Sequence, residues 1–263
     1  MGFLYYPGCT MSTTARELDR CARGVMAALG VALEEVPDWQ CCGAVFSPAA
    51  DDVATKLGVL RVLVHAVQVG QPVMTLCAAC HHVFKQVNYQ AKTSADFRAA
   101  VRAYDETLVY AGEAAIVHFT EVLRDYIGFD ELQKKIVQPL KGRRIGAYYG
   151  CLLLRPAEIM GFDDAENPQI FENLIKALGA TPVSFPLRNE CCGGYRALED
   201  TATCAAMVEK VTASAVSRGA ETLVTACPLC LFQLVSYSGG EVDVCYFTEL
   251  LAEALGLDDD ADE

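Results

Sequence analysis

The sequence predicts an α/β protein built from two tandem copies of one unit, each with a mostly parallel sheet. Short apolar runs alternate with segments of helical periodicity throughout the 263 residues, which is typical of strand–helix–strand units. The order of elements and cysteines in the first half also recurs in the second, which indicates an internal duplication. We therefore expect two Rossmann-like α/β domains related by a pseudo-twofold axis, with cysteine loops at the strand ends.

The elements of the first half follow in strict alternation. A strand runs up to Pro7-Gly8, which stops it immediately before Cys9, and helical patterns end at Gly30 and Gly70, residues suited to a helix C-terminus. Cys77 ends a further strand, so that Cys80 lies in the first turn of the next helix. The predicted order is strand 3–6, helix 13–29, strand 31–36, helix 51–69 and strand 72–76.

The second half repeats this plan, with strand 145–149, helix 173–178 and strand 222–225. A further echo closes each copy, since residues 117–123 match residues 245–251. We expect Thr120 and Thr248 to be the N-caps of two final helices, which end at Gly128 and Gly256. The first copy has 40 residues from Cys80 to Thr120 and the second has 18 from Cys230 to Thr248. The first copy therefore contains an insertion of about 22 residues, predicted to be helical, around residues 90–112.

These repeats set the predicted domain organisation. The first domain spans residues 1–128 and the second spans residues 145–256, with residues 129–144 as a linker. Residues 257–263 form an acidic tail, which we expect to be disordered. The hydrophobic fraction of 52% is sufficient for a real core in each copy.

Composition excludes several classes of function. The net charge of −13 argues against nucleic-acid binding, which requires clustered cations. We find no secretory pattern at the start of the sequence and no apolar run of membrane length. The thirteen cysteines are therefore expected to be reduced thiols or metal ligands in the cytoplasm, on a protein that could be peripheral to a membrane through its partners.

Ten of the cysteines form two sets of five that match in order and spacing. The offset between the sets is 142 residues for the first cysteine and 150 for the other four. The first set is Cys9, Cys41, Cys42, Cys77 and Cys80; the second is Cys151, Cys191, Cys192, Cys227 and Cys230.

The spacing within each set points to a polynuclear metal centre. A C-x-x-C pair can share one metal, whereas two adjacent thiolates fit poorly on one tetrahedral ion and can reach different atoms of a cluster. Five thiolates also exceed the four that structural zinc takes, and thiolates are the usual ligands of iron–sulfur clusters. Two zinc sites with a spare cysteine each, or a metal-free redox C-x-x-C pair, are the alternatives. Gly43 and Gly193 follow the adjacent pairs and are candidates for close backbone approach to a cluster, or ordinary turn glycines.

The doubled pattern Cys…Cys-Cys-Gly…Cys-x-x-Cys resembles the cysteine-rich CCG domain proteins, and especially the B subunit of heterodisulfide reductase. The resemblance covers nearly the whole chain, from Phe3 to about Gly256. Leu152 departs from the methanogen members, which usually have histidine there. The local strings that carry the resemblance are Tyr6-Pro7-Gly8-Cys9-Thr10, Cys41-Cys42-Gly43-Ala44, Tyr148-Tyr149-Gly150-Cys151 and Leu154-Arg155-Pro156.

This resemblance implies two non-cubane 4Fe–4S clusters, one ligated by each five-cysteine set. It further implies that a disulfide is cleaved or formed between the two facing clusters, with small-molecule thiols or disulfides as substrates. The implied partners are those of heterodisulfide reductase, namely a small ferredoxin-like iron–sulfur protein (its C subunit) and a flavin-containing protein (its A subunit). No dinucleotide-binding glycine motif and no ferredoxin-type cysteine run occurs in the sequence, so we expect no flavin or NAD in this chain.

The sequence leaves a second function open. Related CCG proteins pass electrons between a flavin dehydrogenase, such as succinate dehydrogenase, and quinone. In that case the clusters conduct electrons and do not cleave sulfur. His81 and His82 could donate a proton near Cys80 or be structural, and the cations Lys85, Arg155, Arg188 and Arg196 could offset cluster charge or be solvated.

Overall fold

The computed structural model describes residues 2–45, 52–197 and 199–257. The predicted start of a helix at Asp51 and nearly all of the predicted acidic tail lie outside these ranges. The first copy consists of β1 (Gly2–Tyr6), α1 (Cys9–Ser12), α2 (Arg16–Ala28), β2 (Ala32–Glu35), α3 (Leu57–Val69), β3 (Val73–Thr75), α4 (Ala78–Thr93), α5 (Ala95–Tyr104), β4 (Ile116–His118) and α6 (Phe119–Glu121), which continues into a π-helical segment, Val122–Ile127.

The second copy has the same plan with shorter helices after its first cysteine. Helix α7 (Phe129–Lys135) lies in the segment predicted as a linker, before the second copy begins. The elements of the second copy are β5 (Arg144–Tyr148), α8 (Ala157–Met160), α9 (Ile170–Ala177), β6 (Thr181–Val183), α10 (Thr201–Val216), β7 (Thr222–Thr225), α11 (Pro228–Tyr237), β8 (Asp243–Tyr246) and α12 (Phe247–Leu255).

Each copy contains one four-stranded parallel sheet, and the two sheets have equivalent strand orders. The first is ordered β2-β1-β3-β4 and the second β6-β5-β7-β8. The inner strand β1 pairs with both neighbours, since Tyr5 lies opposite Glu35 on one side and Met74 on the other. Helices cover both faces, so Phe3–Tyr6 of β1 is fully buried. The predicted duplicated α/β fold is confirmed.

One hydrophobic core joins the two copies. Helix α12, at the end of the second copy, packs on α2 of the first. The Phe247 ring lies 5.3 Å from Phe119 of the first copy and 6.1 Å from Phe171 of the second, measured between ring centroids. The cysteine loops of the two copies are therefore held in a fixed relation by shared packing, while the domain boundaries remain a prediction.

The structure corrects two details of the predicted elements. The expected helix 13–29 begins only at Arg16, and residues 13–15 separate it from the short helix α1. The Thr13 hydroxyl donates to the Cys9 carbonyl at 2.7 Å. Thr120 and Thr248 are not N-caps, because His118 and Tyr246 hold those positions. Thr248 is instead fully buried, and its hydroxyl donates to the Leu18 carbonyl of α2 at 3.3 Å.

The insertion in the first copy is helical in part. Helix α4 extends to Thr93, and α5 follows as a separate helix with Ser94 as its N-cap, whose hydroxyl accepts from the Phe97 amide at 3.1 Å. Residues 105–115 form a loop before β4.

Candidate metal centre

The parallel sheets place the cysteines at one edge. Cys9 and Cys77 follow β1 and β3 of the first sheet, and Cys151 and Cys227 follow the equivalent strands of the second. Cys77 and Cys227 are the N-caps of α4 and α11. The remaining C-x-x-C members therefore lie in the first helical turn, where the helix dipole favours negative charge.

Within each set the sulfur atoms are close together. In the first set, Cys41 Sγ lies 3.5 Å from Cys9 Sγ, and Cys42 Sγ lies 3.2 Å from Cys80 Sγ. In the second, the corresponding separation between Cys192 and Cys230 is 3.3 Å. All thirteen cysteines are free thiols. These three pairs are thus close together within their own sets, and the assignment of the ten cysteines as metal ligands remains a prediction.

All members of each set line one cavity. The first cavity has a volume of about 290 Å³ and is lined by all five cysteines of the first set. The second cavity, about 10 Å³, is lined by all five of the second set. A single water molecule needs roughly 10–15 Å³. The first cavity therefore has room for a large group, whereas the second has room for about one water molecule.

The cysteine thiols are the donors that iron–sulfur clusters use. Among the described residues, no group of three or more Cys, His, Asp or Glu side chains is arranged to hold one metal ion. Two features support a larger thiolate-bound group. Gly8 and Gly150 have positive φ angles, and a Cβ at these positions would lie 3.1 and 3.3 Å from the sulfurs of Cys80 and Cys230. Neither glycine was predicted from the sequence to approach the sulfur atoms, although each directly precedes the first cysteine of its set.

The glycines after the adjacent pairs are also close to sulfur. The Gly193 amide lies 3.3 Å from Cys191 Sγ and donates to it, and the Gly43 amide lowers the pKa of Cys41, against the larger raising effect of Cys42. Both glycines have positive φ angles, 77° for Gly43 and 79° for Gly193. They are therefore placed as amide donors to the sulfur, and their role in cluster binding remains a prediction.

Crowding makes the thiols compete for protons. Hydrogen bonds from Cys41 and Cys80 lower the pKa of Cys42 to about 4. Hydrogen bonds from Cys151 and Cys192 lower the pKa of Cys191 to about 2, while the thiolate at Cys191 raises the pKa of Cys192 to about 12. In each adjacent pair one sulfur is thus favoured as a thiolate, which is the form that binds metal.

The two sets meet at their C-x-x-C pairs. The thiols of Cys77 and Cys227 are close enough to shift each other's pKa: Cys227 raises the pKa of Cys77, and Cys230 together with Cys77 lowers the pKa of Cys227. Beside them, the Ala78 amide donates to the Ala226 carbonyl at 2.9 Å. The fully buried Tyr246 hydroxyl lies 2.8 Å from the Leu76 carbonyl and 2.9 Å from that of Ala226. A hydroxyl from the last strand therefore ties the two C-x-x-C loops together.

Replacing Tyr246 with phenylalanine is expected to lower the free energy of unfolding by about 1 kcal/mol, the usual contribution of a buried hydrogen bond. The carbonyls of Leu76 and Ala226 lose the tyrosine hydroxyl and keep the His118 ring and the Ala78 amide as partners. The midpoint of thermal unfolding should fall by roughly 2–4 °C for each kcal/mol. Tyr126→Phe is the matched control, since Tyr126 is 43% exposed and its ring contact with Phe3 is kept. Equal midpoints for the two variants would contradict the bridging role of Tyr246.

A length difference explains the unequal cavities. In the second copy, residues 152–169 separate Cys151 from α9, and they bring helix α8 and the Leu152 carbonyl against α4 of the first copy. In the first copy only residues 10–15 separate Cys9 from α2. The space beside the first set is therefore left open.

The lining of the first cavity is apolar. Met11, Val45, Leu229 and Phe232 are among its walls, and apart from the cysteines the described lining residues include no ionisable side chain. Leu229 and Phe232 come from the second copy, so the cavity lies between the copies. Cys9 is exposed at this site. An uncharged molecule can thus reach the first set.

The histidines next to Cys80 are held by structural contacts. His81 is fully buried and lies 3.0 Å from the Thr75 hydroxyl, and its burial lowers its pKa. His82 Nδ1 lies 3.2 Å from the Leu152 carbonyl of the second copy. Leu152 therefore contributes its backbone to the contact between copies.

The arginines of the second copy are paired with carboxylates. Arg188 is buried with its Nε 3.3 Å from Glu172 Oε1, and Arg155 lies 3.0 Å from Glu166 at the surface. Arg196 lies 3.7 Å from Asp200. These contacts account for all three side chains without a role at the cysteines.

Tyr195 is a site residue that sequence reasoning missed. Tyr195 of the second copy is the counterpart of Val45 in the first copy. It lines the second cavity. It also lines, together with Cys42 of the first set, a neighbouring polar cavity of about 550 Å³. Burial and then the charges of Cys227, Cys151, Cys42 and Cys77 raise its pKa. Its hydroxyl thus lies near both sets.

Comparison with known proteins agrees with the duplicated site. The family described as CCG, cysteine-rich domain, matches residues 3–85 and 145–235. The membrane anchor subunit of 8-methylmenaquinol:fumarate reductase from Wolinella succinogenes is 30% identical over 97% of this chain and 92% of its own length. The B subunit of the ferredoxin/F420H2-dependent CoB–CoM heterodisulfide reductase from Methanosarcina acetivorans is 25% identical, over 97% and 89%.

A solved structure supports the fold. A hypothetical protein from Helicobacter pylori superposes with a TM-score of 0.74 at 9% identity, over 97% of this chain. This chain spans about half, 49%, of that protein. In the described ranges, no helix has both the length and the apolar character needed to span a bilayer.

Proposed function

Because this chain belongs to the family of cysteine-rich CCG domain proteins, we propose that it is the iron–sulfur subunit of a multi-subunit oxidoreductase. Each five-cysteine set would hold one non-cubane 4Fe–4S cluster. The first set would exchange electrons with a small uncharged carrier of the quinone class. The observation that carries this proposal is the open, largely apolar cavity lined by all five cysteines of the first set, in which the described lining residues include no lysine, arginine, aspartate or glutamate.

The cavity favours a neutral carrier on energetic grounds. An anionic substrate would leave water for a wall that offers it no cation, and an unpaired buried charge is strongly unfavourable. An apolar ring between Met11, Leu229 and Phe232 would instead displace water from apolar surface, which stabilises binding by about 25 cal/mol per Å². The chain supplies the shape and the water exclusion, and a cluster supplies one-electron steps when bound.

The named relatives also support electron exchange with a carrier of the quinone class. The fumarate reductase subunit is named for a quinol-dependent enzyme, and its identity to this chain is higher than that of the heterodisulfide reductase subunit. The C-x-x-C loops of the two sets are joined by the Ala78–Ala226 backbone hydrogen bond and by the Tyr246 hydroxyl, and this contact suits electron passage between the sets. The proposed partners are a flavin-containing subunit and a ferredoxin-like subunit, since the sequence contains no motif for either cofactor.

A second candidate function is favoured by that same contact. A disulfide held where the two sets meet could have one sulfur facing each set, as the resemblance to heterodisulfide reductase implies. The narrow second cavity would then have to open. The uncharged first cavity would select a neutral disulfide over a polyanionic one.

Metal content is the first discriminating measurement. Protein purified without oxygen is expected to contain about eight irons and eight sulfides per chain, from two 4Fe–4S clusters. After reduction with a viologen, reoxidation by a soluble naphthoquinone should be faster than by a neutral or an anionic disulfide. Zinc without iron would overturn the proposal. Reoxidation by the neutral disulfide and not by naphthoquinone would favour the second candidate function, disulfide cleavage.

Val45→Asp tests the cavity itself. A carboxylate on this wall is expected to slow reoxidation by naphthoquinone at least about tenfold, because it must be desolvated when the carrier binds. Val67→Asp is the control, since Val67 is also exposed but lies on α3 and outside the cavity lining. Iron content should be unchanged in both variants. Equal rates would show that the carrier does not use this cavity.

A further inference from the structure

The internal repeat allows a position-by-position comparison of α4 and α11. The two helices begin one residue after their N-cap cysteines, Cys77 and Cys227. Helix α4 is covered on its outer side by the segment after Cys151: α8 packs on it, and the Leu152 carbonyl contacts His82. His82 is on this side of α4, and Lys85 follows it one helical turn later; both are only partly exposed.

The equivalent side of α11 is uncovered by the described residues. Phe232 and Val235 are each 59% exposed, and Ser236 is exposed beside them. The cause is the short connection 10–15, which has no counterpart of α8. Two apolar side chains thus occupy positions where the covered helix carries His82 and Lys85. Phe232 also lines the first cavity, while Val235 lies one turn further along the helix and outside the lining.

We propose that this side of α11, formed by Phe232, Val235 and Ser236, is the seat of an apolar segment from a partner subunit of the same oxidoreductase. The inference rests on the proposed function. The bound segment would take the place that α8 and Leu152 take on α4, and would complete the outer wall of the first cavity. Electron exchange at the first set would then occur in a site closed by the complex.

The observations favour a polypeptide over other occupants. The equivalent side of α4 is covered by polypeptide, and a chain of net charge −13 is repelled by a second copy of itself and by an anionic lipid surface. A partner with a neutral or basic surface around its apolar segment is not repelled by the negative charge of this chain. Two exposed apolar side chains one helical turn apart suit a segment that inserts one or two apolar residues.

Val235→Lys is the test, because Lys85 shows that the repeat accepts lysine at this position of the helix. This chain would be coexpressed with its flavin-containing and ferredoxin-like partner subunits, and the affinity of the purified chain for that pair measured. We expect at least a tenfold weaker affinity for Val235→Lys, with unchanged iron content and unchanged naphthoquinone reoxidation of the isolated chain. Val67→Lys, on the exposed part of α3, should bind normally.

A photoreactive amino acid at position 235 should crosslink to a partner subunit, and one at position 67 should not. Normal affinity of Val235→Lys, or no crosslink from position 235, would overturn the inference while leaving the proposed function in place. Binding to phosphatidylglycerol vesicles that Val235→Lys changes, or a dimer that it dissociates, would overturn it in favour of those occupants. Failure of the unmodified chain to associate with either subunit would overturn the proposed function and this inference together.

Discussion

Cys42→Ser is expected to lose the metal centre of the first set and, with it, electron exchange with a small carrier. Cys42 is buried, 4% exposed, and its sulfur lies 3.2 Å from Cys80. A serine hydroxyl is a harder and far less acidic ligand than a thiol, so it cannot replace a thiolate favoured by its neighbours. We expect iron and sulfide to fall to about half, from one lost cluster of two, and naphthoquinone reoxidation to fall at least about 100-fold.

The second set provides the comparison that makes this result specific. Cys192→Ser removes the equivalent thiol, which lies 3.3 Å from Cys230, and should also halve the iron while leaving the lining of the first cavity intact. Cys21→Ala is the control, because Cys21 is buried in α2 and belongs to neither set. Its iron content should match that of the unmodified chain. Full iron in Cys42→Ser would contradict the assignment of Cys42 as a ligand.

Much of the site could be predicted because it depends on local sequence. A cysteine that directly follows a buried strand must lie at the carboxyl edge of a parallel sheet, which fixes Cys9, Cys77, Cys151 and Cys227. The C-x-x-C spacing then places Cys80 and Cys230 in the first turn of a helix. The repeated spacing supplied the grouping into five and five, and the structure brings each group to its own cavity.

What could not be predicted depends on contacts between distant segments. Thr248 has the sequence of an N-cap, yet it is buried against Leu18 because α12 packs on the other copy. The hydroxyl of Tyr246 reaches Leu76, 170 residues away in the sequence. The unequal cavities arise from where residues 152–169 pack, which spacing alone does not reveal. Local patterns thus located the cysteines of the candidate site, and tertiary packing decides which set lies beside an open cavity.

Arg188→Ala is expected to be the most destabilising of the substitutions considered. Arg188 and Glu172 are both buried, with Arg188 Nε 3.3 Å from Glu172 Oε1, and the Tyr149 hydroxyl donates to the same carboxylate. The Arg188 side chain also donates to Asn167 Oδ1 at 2.6 Å. Its removal leaves a buried carboxylate without a counter-charge, which typically lowers the free energy of unfolding by about 3–5 kcal/mol.

The effect should extend to the second cysteine set. The Arg188 carbonyl accepts from the Tyr149 amide at 2.8 Å, which ties the segment before Cys191 to the segment before Cys151. Movement of this segment would separate the two cysteines, so we expect Arg188→Ala to lose iron from the second set as well as stability. Arg155→Ala is the control, because Arg155 pairs with Glu166 at the surface and such pairs contribute little.

A double substitution separates the buried charge from the loss of side-chain volume. In Arg188→Met with Glu172→Gln, no charge is buried and the amide oxygen can still accept from Tyr149, so most of the lost stability should return.

The loss of stability in Arg188→Ala should also become smaller as the pH falls. Burial raises the pKa of Glu172 in the folded protein, and without Arg188 that pKa rises further. The folded state then gains a proton that the unfolded state lacks, so its stability increases below the raised pKa and is lost above it. Chemical denaturation of the two variants at pH 5.5 and 8 measures this difference. A deficit independent of pH and unrelieved in the double variant would assign the effect to packing around Arg188 and not to the charge of Glu172.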